Sequence, residues 1–281
     1  MTKLAPPKTR EFSLTDAEYR SIRDRIYDLA GIKLGDQKQD LVYSRLTKRL
    51  RAIGVADFAS YLRLLDGPDG HQELELMLNA LTTNLTSFFR ESHHFDHLKT
   101  IALQESLERQ QDHGRQLRIW SSACSTGEEP YSIAMTLLES NADLSRVDAR
   151  ILATDINTDV LSRASQGRYG APILAKCPAS CRTHFRTFPD GSGEVKAEVK
   201  NLITFRKLNL LGSWPMSRQF DVIFCRNVLI YFDNKTKAQL VDRFVEVLRP
   251  NGWLYLGHSE SASGSHPALE PAGRTIYRKI S

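Results

Sequence analysis

The chain has 281 residues, 41% hydrophobic and 25% charged, with a formal net charge of +5, the composition of a globular protein long enough for one large domain or two smaller ones. No run approaches the eighteen or so apolar residues of a membrane helix, and the opening MTKLAPPKTR lacks the apolar core of a signal peptide, so membrane insertion is not expected and the cytoplasm is. Residues 1–90 hold 14 Lys/Arg against 12 Asp/Glu, so the positive charge forms no basic tail of the kind that marks nucleic-acid binders.

Residues 1–12, rich in Pro and Lys, read as a disordered lead-in. Leu14-Thr15-Asp16 starts a helix carried by Tyr19, Ile22, Ile26 and Leu29 and stopped at Gly31. A second helix spans about Asp36 to Ile53, with Val42, Leu46, Leu50 and Ile53 as its apolar stripe and Gly54 at its end. Arg45, Lys48 and Arg49 lie beside that stripe at helical spacing, with Arg51 further round. They are read either as a solvated cationic face or as a docking surface for an acidic helix. A third helix begins near Asp57 and breaks at Gly67-Pro68-Asp69-Gly70; a fourth covers about Gln72 to Leu81. Residues 1–81 thus form a small all-helical domain. Residues 82–115 follow as linker and connecting helix, the helix over about Ser92 to Arg109. The linker TTNLTSFFRE is unusual, because Phe88-Phe89 calls for burial and Arg90 for a partner.

From Gln116 the pattern is α/β. Leu117-Arg118-Ile119-Trp120 is a strand, Ser125-Thr126-Gly127 a tight turn, and Glu128 onward a helix with Tyr131, Ala134, Met135 and Leu138 at helical spacing. This strand-turn-helix is the opening of a Rossmann-like nucleotide unit, yet G-x-G-x-x-G is absent and two glutamates follow the single glycine. That argues against a pyrophosphate and for a ligand with positive charge. The same residues also fit a helix-capping box. Ala149 to Thr154 is the second strand, closed by Asp155, where such folds bind ribose hydroxyls; Asp155 also suits a helix cap. Residues 167–200 break the alternation with seven Gly and Pro residues and read as an inserted β-subdomain, with Glu194 to Lys200 as an exposed strand. Leu202 to Phe205 resumes the sheet, and Phe220 to Cys225 is a buried strand delivering Arg226, Asn227 and Tyr231 to the crevice edge. A helix over about Lys235 to Leu248 leads through Arg249-Pro250-Asn251-Gly252 into the strand Trp253 to Gly257, and Thr275 to Ile280 pairs back. The four cysteines suggest no disulfide framework. Cys177-x-x-x-Cys181 has no second pair to complete a metal site, so no metal is expected.

The ordered segments TTNLTSFFRE, STGEEPYSIA, ATDIN, NLL, FDVIFCRNVLIYF and GHSES resemble the chemotaxis receptor methyltransferases, the CheR family, from about residue 12 to the end. The resemblance implies a helical N-terminal domain and, over residues 116–281, an S-adenosylmethionine-binding α/β domain with a β-subdomain at about 167–200. It implies methyl transfer to glutamates on the cytoplasmic helices of chemoreceptors, giving methyl esters and S-adenosylhomocysteine. The cofactor contacts it implies are Asn84, Thr86, Arg90, Glu128, Asp155, Asn209, Leu210, Arg226 and Asn227, with Glu129 competing with Glu128 for the cofactor amino group. Arg90 and Tyr231 are implied to orient the substrate. On this reading Arg45, Lys48 and Arg49 face the acidic receptor helices and the enzyme is a monomer. Members differ in whether a receptor C-terminal pentapeptide docks on the β-subdomain, and the loop Pro189–Gly193 suits either type. Two other readings stand beside this one. A nucleic-acid methyltransferase lacks its expected Asn-Pro-Pro-Tyr or Pro-Cys segment here, and intact Arg90 and Tyr231 count against a non-catalytic cofactor-sensing adaptor.

Overall fold

The computed structural model describes residues 10–68, 70–108, 116–140, 146–262 and 266–280. Most of the expected lead-in, Asp69 of the helix break and Arg109 of the connecting helix lie outside the described residues. The chain divides into two units, one ending at Thr82 and one beginning at Thr83.

In the first unit, helix α1 (Asp16–Ala30) opens on a capping box. Glu18 N–H donates to the Thr15 hydroxyl and Thr15 N–H to the Glu18 carboxylate, satisfying two helix-end donors locally. Gly31 ends it with φ 66°, the left-handed conformation that costs glycine least. A 3-10 turn (Asp36–Lys38) leads into α2 (Gln39–Ile53); α3 (Phe58–Leu65) starts at Asp57, whose carboxylate accepts Ser60 N–H at 2.7 Å, and α4 (Gly70–Leu81) completes the unit. Ile22, Ile26, Val42, Leu46, Leu50, Phe58, Tyr61 and Met77 are fully buried, which is why the apolar spacing of each helix was legible.

The basic face of α2 is largely turned inward. Arg49 donates two bonds to the buried Glu73, at 2.9 and 2.5 Å, and Tyr61 donates a third to the same carboxylate at 2.9 Å. Arg45 donates to the carbonyls of Leu81 and Thr82 at 2.7 and 2.8 Å, satisfying the end of α4. Arg51 pairs with Glu11 at the surface, and Lys48 is exposed. The expectation of Arg45, Lys48 and Arg49 as one docking face is therefore corrected. A buried acid and the carbonyls at the end of α4 take up two of the three cations.

The second unit begins with the linker, then α5 (His93–His97), a π-helical turn (Leu98–Ala102) and α6 (Leu103–Glu108), which together form the expected connecting helix. The order then runs β1 (Gln116–Ser121), α7 (Glu128–Leu138), β2 (Asp148–Asp155), α8 (Thr158–Gln166), β3 (Arg168–Tyr169), α9 (Ala171–Leu174), α10 (Ala179–Arg182), β4 (Phe185–Thr187), β5 (Gly193–Val195), α11 (Ala197–Lys200), β6 (Ile203–Lys207), β7 (Phe220–Cys225), α12 (Asn234–Val247), β8 (Leu248–Leu256), β9 (Leu269–Gly273) and β10 (Ile276–Lys279). The main sheet has the order β6-β2-β1-β7-β8-β10-β9. It is parallel up to β8, with β10 antiparallel to both β8 and β9. The chain moves outward from β1 through β2 to β6 and then returns to β7, so the order reverses between β1 and β7, and ligands of open α/β sheets bind beyond the strand ends at such a point. All six residues of β7 are buried, its apolar residues as a two-sided strand requires and Asp221 through bonds from Arg118 N–H and Arg249.

The inserted segment forms a separate sheet, β3-β5-β4. The strand expected over Glu194 to Lys200 is not one. β5 ends at Val195 and α11 takes over, burying Val199; alternation over so short a stretch does not separate a strand edge from a helical turn that packs one residue inward. Cys177 and Cys181 also depart from expectation, forming a disulfide with Cα atoms 6.1 Å apart, a spacing within disulfide reach. Cys124 and Cys225 are buried thiols. Among the described residues no helix is long and apolar enough to cross a membrane and no cluster of metal-ligating side chains occurs.

Candidate active site

The turn after β1 is tied to both neighbouring strands. Ser122 N–H donates to Phe224 O at 2.9 Å and Cys124 N–H to Thr154 O at 2.8 Å, so the chain leaves β1 still anchored to β7 and β2. Asp155, at the end of β2, accepts Ser125 N–H at 2.8 Å and Asn157 N–H at 3.0 Å. Asn157 caps α8, so Asp155 is not spent on that task. Gly127 has φ 98°, and a Cβ there would come within 2.9 Å of Ala164 and of the Tyr169 hydroxyl, so only glycine lets the turn close against α8 and β3.

The two glutamates that follow have different surroundings. Glu129 accepts the Ser121 hydroxyl at 2.7 Å and Arg226 Nη1 at 3.0 Å. Burial pushes its carboxyl up, against the opposing pull of Arg226 and Ser121. Glu128 is also buried, and its carboxylate accepts the Thr126 hydroxyl at 2.6 Å; burial pushes it up. Asp155 is likewise pushed up by burial, with its backbone donors opposing. Glu129 is thus matched with a cation inside the protein, whereas Glu128 is a desolvated acid at the start of α7 with a neutral partner.

Arg226 joins the end of β7 to the linker. Its side chain is 1% exposed, and besides Glu129 it reaches the Arg90 carbonyl and lies 3.3 Å from Glu91 Oε2. Glu91 also accepts Asn227 Nδ2 at 3.3 Å and His258 Nδ1 at 3.1 Å. Burial raises the Glu91 pKa, but Arg226, His258 and Asn227 overcome it and bring it down to about 2. Asn227 holds φ 57°, Glu91 φ 58° and Phe89 φ 51°, a concentration of uncommon backbone typical of sites whose surroundings over-determine them. Glu260 accepts the N–H groups of Asn227, Ile230 and Gly257 at 2.9, 3.3 and 2.6 Å, fixing the β7 exit to the β8 exit. A Cβ at Gly257 would meet Asn227 at 2.4 Å, so the two strand ends close only because that position is glycine.

The linker is packed rather than free. Phe88 is buried edge-on against Tyr169 and Phe185, and Phe89 N–H donates to Ser132 Oγ at 2.9 Å. The Asn84 carbonyl accepts Ser125 Oγ at 3.1 Å. Arg90 Nη1 donates to Leu85 O at 2.9 Å, and the Tyr231 hydroxyl lies 3.5 Å from Thr83 O. Both residues expected to orient substrate therefore meet the same short stretch of backbone. Asn84, Arg90, Asp155, Arg226, Asn227 and Tyr231 are linked through these contacts and the linker backbone, and Glu128 follows the same turn as Ser125. Thr86 lies on the same stretch, half-buried. Asn209 and Leu210 sit beyond β6, tied to Asp155 through Leu208 N–H donating to Asp155 O at 3.0 Å. The sequence reading assigned no role to Glu91 or Glu260. Their signal was a carboxylate directly after Arg90 and another just past the end of a buried strand, both inside the quoted segments.

Comparison with known proteins identifies the family. The model of the CheR methyltransferase SAM-binding domain matches residues 84–277, and that of the CheR all-alpha domain matches residues 17–82. Chemotaxis protein methyltransferase 2 of Pseudomonas aeruginosa is 44% identical over 273 residues, covering 95% of each chain. A probable chemotaxis protein methyltransferase of Rhizobium etli is 44% identical over 90% of this chain and 96% of its own. The chemotaxis protein methyltransferase of Escherichia coli is 42% identical over 98% of this chain and 95% of its own.

Proposed function

The chain belongs to the CheR methyltransferase family, and from that premise we propose that this S-adenosylmethionine-dependent methyltransferase esterifies glutamate side chains on the cytoplasmic helices of chemoreceptors, in the cytoplasm. The observation that carries the site assignment is the pair of buried acids, Glu128 at the start of α7 and Asp155 at the end of β2, both pushed up by burial. Two desolvated carboxylates, one opening the helix after β1 and one ending β2, fit a ligand presenting an ammonium to one and hydroxyl donors to the other. The residues present therefore suit S-adenosylmethionine, whose bound sulfonium supplies an electrophilic methyl group.

This chain's own part is positioning. A solvated glutamate has a pKa of about 4.3 and is already ionised at neutral pH, so no general base is needed. Glu128 takes the cofactor amino group, Asp155 the ribose, and Asn209 and Leu210 the adenine end; Asn84, Thr86, Arg226 and Asn227 complete the enclosure. Arg90 and Tyr231, held at the linker backbone, aim the incoming carboxylate. Arg90 is one-third exposed, which suits orienting a nucleophile without neutralising it. On the helical domain, Lys48 is the exposed cation of the α2 face open to an acidic receptor helix, and the enzyme acts as a monomer.

The test is transfer of labelled methyl to receptor fragments, with nucleic acid as a parallel acceptor. The expected product is a carboxyl methyl ester, lost on mild alkaline treatment. Label that survives base would refute carboxylate methylation, label on nucleic acid would move the enzyme to another class, and cofactor binding without transfer would make the protein an adaptor.

A further inference from the structure

The loop after β6 carries Asn209 and Leu210, and its shape is imposed from α12. Arg243 Nη1 donates to Leu210 O at 2.6 Å and Nη2 to Gly212 O at 2.6 Å. The guanidinium lies 4.0 Å from the Trp214 ring centroid, and Trp214 Nε1 donates to the same Leu210 carbonyl at 3.1 Å. Trp214 in turn packs edge-on against Trp120 at 4.8 Å and beside Phe244 at 5.1 Å. Trp120 Nε1 donates to Thr154 Oγ1 at 2.9 Å, next to Asp155. Within the loop, Asn209 Oδ1 accepts Leu211 N–H and Asn209 O accepts Gly212 N–H, both at 3.0 Å. A planar, forked cation is thus set on two carbonyls two residues apart and stacked on an indole, a geometry lysine cannot reproduce. The adenine-end loop and the ribose acid are held in one frame.

We propose that Arg243 is a positioning residue for the cofactor, clamping the Leu210 and Gly212 carbonyls so that the Asn209–Leu210 loop keeps the shape that receives the adenine ring. This rests on reading Asn209 and Leu210 as the adenine contacts. Arg243 acts through the loop and not on the methyl group, so its loss falls on cofactor affinity and leaves the chemical step alone.

The experiment measures S-adenosylhomocysteine binding by calorimetry and steady-state receptor methylation for Arg243→Gln, Arg243→Lys and Asn209→Ala, with ligand-free thermal denaturation as the folding control. The conservative Arg243 replacements retain one donor group and guard against a variant that fails to fold. Both Arg243 variants should raise the Kd about tenfold, the loss of roughly one hydrogen bond to a charged group. Cofactor KM should rise in step, while kcat at saturating cofactor and the receptor KM stay within about twofold. A merely structural role would lower the melting temperature without this split. If Asn209→Ala weakens binding but neither Arg243 variant does, the clamp is refuted and the adenine reading stands. If none of the three weakens binding, the adenine reading of this loop fails and the proposal with it. A fall in kcat with cofactor affinity unchanged also overturns it.

Discussion

Glu128 and Glu129 are adjacent and chemically identical, so replacing each with glutamine separates two kinds of role. In Glu129→Gln, Arg226 keeps a side chain only 1% exposed but loses its 3.0 Å ion pair, and Ser121 loses its carboxylate acceptor. Breaking a buried pair from one side costs about 3–5 kcal/mol. Arg226 still lies 3.3 Å from Glu91 and still bonds the Arg90 carbonyl, which places the loss near the lower figure, about 3 kcal/mol. For a domain of this size that lowers Tm by roughly 6–12 °C. Glu128→Gln removes a desolvated charge whose side-chain partner is the neutral Thr126 hydroxyl, and glutamine keeps an acceptor for it, so ligand-free stability should change by no more than about one neutral hydrogen bond, roughly 1 kcal/mol. Its affinity for S-adenosylhomocysteine should instead fall about 10- to 100-fold, the worth of a hydrogen bond between charged groups. Thermal denaturation without ligand and titration calorimetry read the two quantities independently. If Glu129→Gln melted with wild-type protein while losing affinity, and Glu128→Gln did the reverse, the two assignments would be exchanged and the reasoning from buried partners would be wrong.

Acid should destabilise the second unit. His94 is fully buried, and burial, reinforced by Arg226 and His93, brings its pKa down to about 3; burial lowers His97 as well. The unfolded chain protonates His94 near pH 6.5 and the folded one only toward pH 3, so stability falls as pH drops below about 6.5, by up to about 1.4 kcal/mol per pH unit for His94, with His97 adding in the same direction. Glu91 is shifted in the same direction and adds to the loss at lower pH. Its stabilising contribution is present above about 4.5 and is lost as pH falls toward 2. Denaturant midpoints from pH 8 to 5 should decline less steeply in His94→Gln than in wild type, and equal slopes would refute the assignment. On the helical unit, Arg49→Ala should cost about 3 kcal/mol by stranding Glu73 with little effect on receptor association, whereas Lys48→Glu should slow association at low salt and leave stability unchanged. Normal methylation by Lys48→Glu at low salt would return that residue to a solvated charge.

Much of this protein was legible in one dimension. Thr15 with Glu18, Gly31, Gly54 and Asp57 mark helix ends because capping bonds join residues one to four positions apart. The buried run Phe220–Cys225 and the stripe Val42, Leu46, Leu50 record the periods of strand and helix. The crevice edge carrying Asp155 and Arg226 after their strands, and Glu128 at the start of the helix after β1, followed from the same reading, since an α/β sheet delivers its strand termini to one edge. What the sequence could not contain is which charges meet. Arg226 pairs with Glu129 across 97 positions and Arg49 with Glu73 across 24, so one member of a buried acidic doublet becomes ion-paired and two of three basic residues become half-buried with internal partners. Arg243 reaches the Leu210 carbonyl from 33 positions away, and the short alternating stretch after Val195 becomes a helical turn because packing against α7 outweighs a weak local preference. Local hydrogen bonds and periodicity are set by neighbours along the chain. The partner of a buried charge is chosen only when folding removes water and leaves each ion the counter-charges that remain within reach.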